Sequence, residues 1–134
     1  MRDHDALIAF LRARRDRPFA WGRRRNDCVA FGFGAVKVQT RRDLAAELGV
    51  DWSSKAQAVA VLKALGGLEA ALDRVLPRTP CAMAHRGDLA LAPTHGGSCL
   101  MVVEGETLIG VAQDGVLRLP RRVMTMAWSI EGRP

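Results

Sequence analysis

No stretch of this 134-residue sequence approaches the length of a membrane span, which takes about 20 consecutive apolar residues. The first residues, Met1-Arg2-Asp3-His4-Asp5, lack the basic-then-apolar order of a signal peptide. The expectation is therefore a protein made in the cytoplasm and not exported by the usual route. Cysteine is sparse and odd in number, with Cys28, Cys81 and Cys99 only, which argues against a disulfide scaffold. Histidine is equally scarce, at positions 4, 85 and 95, so few groups are available as a base near neutral pH. What remains is the length of one ordinary domain, able to bury a core. Its net charge of +6 suggests affinity for something acidic without saying what.

The chain is organised around Pro18-Phe19-Ala20-Trp21-Gly22-Arg23-Arg24-Arg25-Asn26-Asp27-Cys28-Val29-Ala30-Phe31. It reads as an extended aromatic segment, a glycine turn, a short polar loop and then a helix. Asn26 and Asp27 are both good N-cap residues, which puts Cys28 in the first helical turn. Free N–H groups, the positive end of the helix dipole and nearby arginines all favour a thiolate there. Cys28 is thus the candidate nucleophile, and the plain alternative is a small apolar residue at a helix start.

In chain order, Asp5 to Arg15 predicts a helix with Leu7, Ile8 and Leu11 as its apolar stripe, stopped by Pro18. Seven arginines fall between positions 12 and 25. Without a nucleic-acid motif beside them they read as a solvated face, and nucleic acid is not the expected partner. Cys28 to Gln39 predicts a buried helix bearing Val29, Phe33 and Val36, with Gly32 leaving room for a close neighbour. Shorter helices follow over 42–48, from about 56 to 65, and over 68–76, marked by Ser53 or Ser54 at a start and by Gly49, Gly66 and Pro77 at ends. After Pro80 the pattern changes to short apolar runs from Asp88, Cys99, Thr107, Gly115 and Ala127, separated by turn residues. The expected fold class is α+β in one domain spanning 1–134. Its helical part is 1–77 and its sheet part 86–131, an antiparallel meander of four or five strands packed on the Cys28 helix.

Phe19-x-Trp21-Gly22, then Asp27-Cys28 and a helix, then Arg86-Gly87-Asp88-Leu89 opening a small sheet, resemble the NlpC-type papain-like cysteine peptidases of bacterial cell-wall turnover and phage tails. The segment from Asp43 to Leu76 and the C-terminal Ala127-Trp128-Ser129-Ile130 resemble a small phage and prophage tail branch of that family. The resemblance implies a papain-like domain with the cysteine helix packed on the sheet and a catalytic histidine on the second strand. A polar orienting residue would stand on the third. It also implies that Cys28 and Cys99 are neighbours, because Cys99 occupies the histidine position. Near Gly110 to Ala112 no polar side chain fills the orienting position.

A cysteine peptidase needs a base within reach of its nucleophile and a group to orient that base. His95, in the turn Thr94-His95-Gly96-Gly97, is the candidate base; His85 and His4 are weaker ones. Trp21, Asp27 and Cys99 are candidate binding residues. Cys81-x3-His85 and His95-x3-Cys99 offer zinc-ligand spacing as an alternative, but the reading places no metal and no cofactor. Arg86-Gly87-Asp88 matches an adhesion triplet and is better explained as a turn entering a strand. The expected function is a phage or prophage tail-tip protein with a degenerate NlpC-like domain. Its expected partners are other tail-tip proteins and peptidoglycan peptides, and its final location is the virion. The alternative is an active peptidoglycan endopeptidase with Cys28 as nucleophile and His95 as base.

Overall fold

A computed structural model describes residues 2–134. Five helices come first: α1 His4–Arg14, α2 Cys28–Thr40, α3 Leu44–Leu48, α4 Lys55–Leu65 and α5 Leu68–Val75. Six strands follow: β1 Arg78–Thr79, β2 Leu89–Thr94, β3 Gly97–Val103, β4 Thr107–Ala112, β5 Gly115–Pro120 and β6 Met126–Trp128. The fold is α+β, with every pairing in its single sheet antiparallel.

Local chemistry sets the helix ends. Asp3, Asp27, Asp43 and Ser54 each accept a hydrogen bond from a backbone N–H of the first turn they cap, which satisfies donors the helix leaves free. Gly49 and Gly66 close α3 and α4 in the left-handed conformation that glycine adopts without strain. In α1, Leu7 is buried while Ile8 faces solvent, so the apolar stripe is narrower than its spacing predicts. Phe10 completes it, packing on Phe31 at 5.5 Å between ring centroids.

The sheet order is β1-β6-β2-β3-β4-β5, which corrects the simple meander. Strands β2 to β5 do run as one, but β6 returns across the sheet to lie between β1 and β2, pairing Trp128 with both Arg78 and Leu89. Trp128 has no exposed surface, and its indole N–H donates to Asp73 Oδ1 of α5 at 2.9 Å. Arg78 forms ion pairs with the same carboxylate and with Glu69, so the last strand is tied to the helical half.

Helix α2 lies against β3 and β4. Its Phe31, Ala35 and Val36 are fully buried and share a core with Leu89, Leu100, Val102 and Ile109. Truncating a buried phenylalanine such as Phe31 costs about 3–5 kcal/mol. Gly32 makes the close approach possible: a Cβ there would stand 2.7 Å from a methyl of Leu100. The opposite sheet face, with Ala90, Ala92, Cys99 and Met101, forms a second core under Ala84 and Met124.

Asp88 does not open the strand; β2 begins at Leu89. The carboxylate is buried and accepts from the backbone N–H groups of His85 at 2.7 Å and Ile130 at 3.2 Å. Arg2 completes its shell at 3.0 Å and donates to the Arg86 carbonyl. Gly87 sits at φ +93° against Gln39, where a side chain has neither the conformation nor the space. An Asp88 held this way cannot serve as an adhesion group.

Candidate functional site

The segment before α2 is fixed from several sides. Ala20 and Asn26 form an isolated antiparallel bridge. The buried Asn26 amide donates to the Arg17 carbonyl at 3.0 Å and its oxygen accepts from Arg14. On the far side, Arg23 pairs with Asp43 at 3.0 Å, and its backbone N–H donates to the Trp52 carbonyl at 2.9 Å. Arg14 and Arg23 therefore hold the loop in place. Arg12, Arg15, Arg17, Arg24 and Arg25 are exposed, as a solvated face requires.

Asp27 is the centre of this arrangement. It is buried, and its Oδ1 caps α2 by accepting from Ala30 N at 2.8 Å. Its Oδ2 accepts from Gly22 N at 2.8 Å and from the indole N–H of Trp52 at 2.8 Å. Three charge-assisted hydrogen bonds thus set the direction in which the first residue of the helix, Cys28, leaves the loop.

Cys28 is partly exposed and packs against the sheet core that contains Cys99. Strand pairing explains how the two meet. β3 and β4 pair at Val102↔Ile109 and Val103↔Leu108 only, although both strands run on to Cys99 and Ala112. α2 packs on β3, and its first residue, Cys28, packs against the cluster that contains Cys99. Cys99 lies in that unpaired stretch, its Sγ 3.9 Å from the Val111 carbonyl.

The Cys28 thiol is shifted below its ordinary value, chiefly by the neighbouring Cys99 thiol. Burial opposes this, the Leu100 N–H assists, the charge of Asp27 opposes, and the Val29 N–H assists. Cys99 moves the other way, first through its interaction with the Cys28 side chain, then through burial and the charge of Cys28. The pair shares its first negative charge, and that charge rests on Cys28.

His95 is exposed, at the tip of the β2–β3 hairpin, where Thr94 pairs with Gly97. Among the described residues, no hydrogen bond links it to Cys28. His85 and His4 are exposed as well. The four zinc-spaced residues do not converge: among the described residues no group of three or more His, Cys, Asp or Glu could hold a metal ion. Cys81 faces the Met124 carbonyl.

An apolar groove of about 230 Å³ runs from Cys28, Val29 and Ser98 past Trp21, Phe33 and Trp52 to Leu62 and Leu65 of α4. Trp21 is braced edge-on by Phe19, their centroids 5.1 Å apart. The structure thus brings together Trp21, Asp27, Cys28 and Cys99, and leaves His95 outside. Sequence reasoning missed Trp52, Ser98 and the Leu100 N–H. A tryptophan in the polar loop before Ser53-Ser54 was the one available hint; the other two arise from strand geometry.

The family model described as "Domain of unknown function (DUF6950)" matches residues 1–130. The chain belongs to that family. No curated protein matches the sequence. The DUF6950 match covers both the loop bearing Asp27 and Cys28 and the strand bearing Cys99.

Proposed function

We propose that this chain is a papain-like domain of the NlpC type that has kept a ligand groove and lost hydrolysis, serving as a binding component of a phage or prophage tail tip. One observation carries the reading: Cys28 packs against the sheet-face cluster that contains Cys99, where a peptidase of this type needs an imidazole.

The chemistry follows from that replacement. A Cys28 thiolate is able to attack a carbonyl, but expelling an amine requires a proton donor, and clearing the thioester requires a base to activate water. Cys99 is buried, and its proton is held too tightly for it to act as that base near neutral pH. The groove beside Cys28, walled by Trp21, Phe33 and Trp52, would take an apolar side chain of a peptide. The exposed arginines of residues 12–25 would dock on acidic neighbours in the tail. The Phe19-x-Trp21-Gly22, Asp27-Cys28 and Gly87-Asp88 elements support the family placement, and the tail location rests on the resemblance of the middle and C-terminal segments.

Incubation with purified peptidoglycan, followed by sedimentation and chromatography of the soluble fraction, tests this reading. The expected result is co-sedimentation, weakened by Leu62→Glu in the groove, with no peptide fragments released. Fragment release that disappears in both Cys28→Ser and His95→Ala would overturn it in favour of an active endopeptidase.

A further inference from the structure

A second pocket of about 230 Å³ shares Phe33 and Trp52 with the apolar groove but is lined by charge. Arg14 from the last turn of α1, Arg23 and Arg24 from the loop, and Lys37 of α2 stand there against one carboxylate, Asp43. Asp43 is already engaged, its Oδ2 lying 3.0 Å from Arg23 and 3.7 Å from Lys37. Arg24 reaches only the exposed Asp51, at 3.7 Å. Arg14 is half-buried, yet it meets no carboxylate among the described residues. A cation withdrawn from water without a counter-charge is costly, and burial, with the charge of Arg17 added, lowers the Arg14 pKa accordingly.

The Arg14 guanidinium is nonetheless held in place. Its Cζ lies 4.7 Å over the Phe10 ring, and its Nη1 donates to the Arg25 carbonyl at 3.1 Å and to Asn26 Oδ1 at 3.0 Å. Its Nη2 and Nε make no hydrogen bond among the described residues. Arg23 is fixed in the same way, donating to the Val50 carbonyl at 3.3 Å and to Asp43 at 3.0 Å. Donors set in position beforehand lose little freedom when an anion arrives.

We propose that this pocket binds a phosphate group, as inorganic phosphate or a small phosphate monoester, between Arg14, Arg23, Arg24 and Lys37. The cations come from the end of α1, the loop and the middle of α2, so donors reach the cavity from more than one side. A tetrahedral phosphate has oxygens for several such donors, whereas a carboxylate presents one edge, which a single guanidinium matches. Arg14 supplies its unused Nη2 and Nε, and Lys37 and Arg24, both more than half exposed, add charge at the mouth. The volume is below the about 300–1,000 Å³ of pockets that enclose drug-sized ligands, which limits the ligand to a phosphate with a small substituent. Cys28 is not among the lining residues, so the site holds whether the neighbouring groove binds or cleaves a peptide.

Titration with sodium phosphate, followed by backbone amide shifts in NMR spectra at an ionic strength held constant with sodium chloride, tests the proposal. The expected result is saturation at a single site, with shifts centred on Arg23, Arg24, Gly34 and Trp52. Arg14→Gln should weaken binding roughly tenfold or more, and Lys37→Ala roughly threefold. Arg122→Ala removes the same charge from an exposed position outside the pocket and should leave binding unchanged. Because Lys37 is exposed, its variant reports on the site even if Arg14→Gln folds poorly. Methyl phosphate separates the sources: saturation at similar affinity assigns the site to monoesters, and binding of inorganic phosphate alone assigns it to the free ion. Saturation by neither would overturn the proposal, and so would an equal loss in Lys37→Ala and Arg122→Ala, which would mean diffuse attraction to a basic surface.

Discussion

Replacing Asp27 should be among the most damaging single changes near the site, because one buried carboxylate satisfies three donors. Asp27→Ala removes the α2 cap, about 1 kcal/mol. It also strands the Gly22 N–H and the Trp52 indole N–H, both now at 2.8 Å from Oδ2, at about 1–3 kcal/mol each. The sum is about 3–7 kcal/mol, a large share of the 5–15 kcal/mol that holds a typical domain. Asp27→Asn keeps one oxygen, which can serve either Ala30 or the Gly22–Trp52 pair but not both, and should cost about 2 kcal/mol. It also removes the negative charge that opposes ionisation of Cys28, so the folded variant should alkylate faster than the native protein at mildly acidic pH. Denaturant unfolding followed by tryptophan fluorescence gives the stability, and iodoacetamide kinetics give the reactivity. A loss below about 1 kcal/mol in Asp27→Ala would refute the three-donor reasoning. Slower alkylation in Asp27→Asn would refute the electrostatic part.

Gly32→Ala gains helix propensity of up to about 1 kcal/mol but drives a Cβ to 2.7 Å from Leu100. Overpacking of that kind costs about 1–3 kcal/mol, so a net loss is expected in the thermal midpoint, and a gain would show that β3 yields freely. Acid should destabilise the fold through its paired carboxylates. Glu47 is held low first by the hydrogen bond from Arg42, and Asp73 first by that from Arg78. A carboxylate depressed in the folded state stabilises it above the unfolded value near about 4 and loses that contribution as pH falls through the folded value. Chemical-denaturation midpoints should therefore be flat above about pH 5 and fall below it, with a shallower fall in Arg42→Ala. A midpoint that rises on acidification would contradict the assignment.

Local chemistry made much of the helical half legible. Asp27 and Ser54 announce their helices, Gly49 and Gly66 end theirs, and Gly32 anticipates the approach of Leu100. The failures are non-local. Ile8 fits a helical stripe, but whether it or Phe10 turns inward depends on Phe31, distant in sequence. β6 sits between β1 and β2 because Trp128 buries itself against Asp73, a contact that no spacing in the sequence reveals. At the site, Asp27 reads as a cap and only the fold shows that Trp52 shares its carboxylate. The resemblance implied that Cys28 and Cys99 are neighbours, while the early end of β3–β4 pairing and the packing of Cys28 on the cluster with Cys99 are visible only in three dimensions.

The pH dependence of Cys28 alkylation tests the central claim most directly, measured by mass spectrometry in the native chain, Cys99→Ala and His95→Ala. Cys28 should titrate below a free thiol, move up towards the ordinary range in Cys99→Ala, and stay unmoved in His95→Ala. A profile that follows His95 and ignores Cys99 would contradict it and restore a cysteine–histidine dyad.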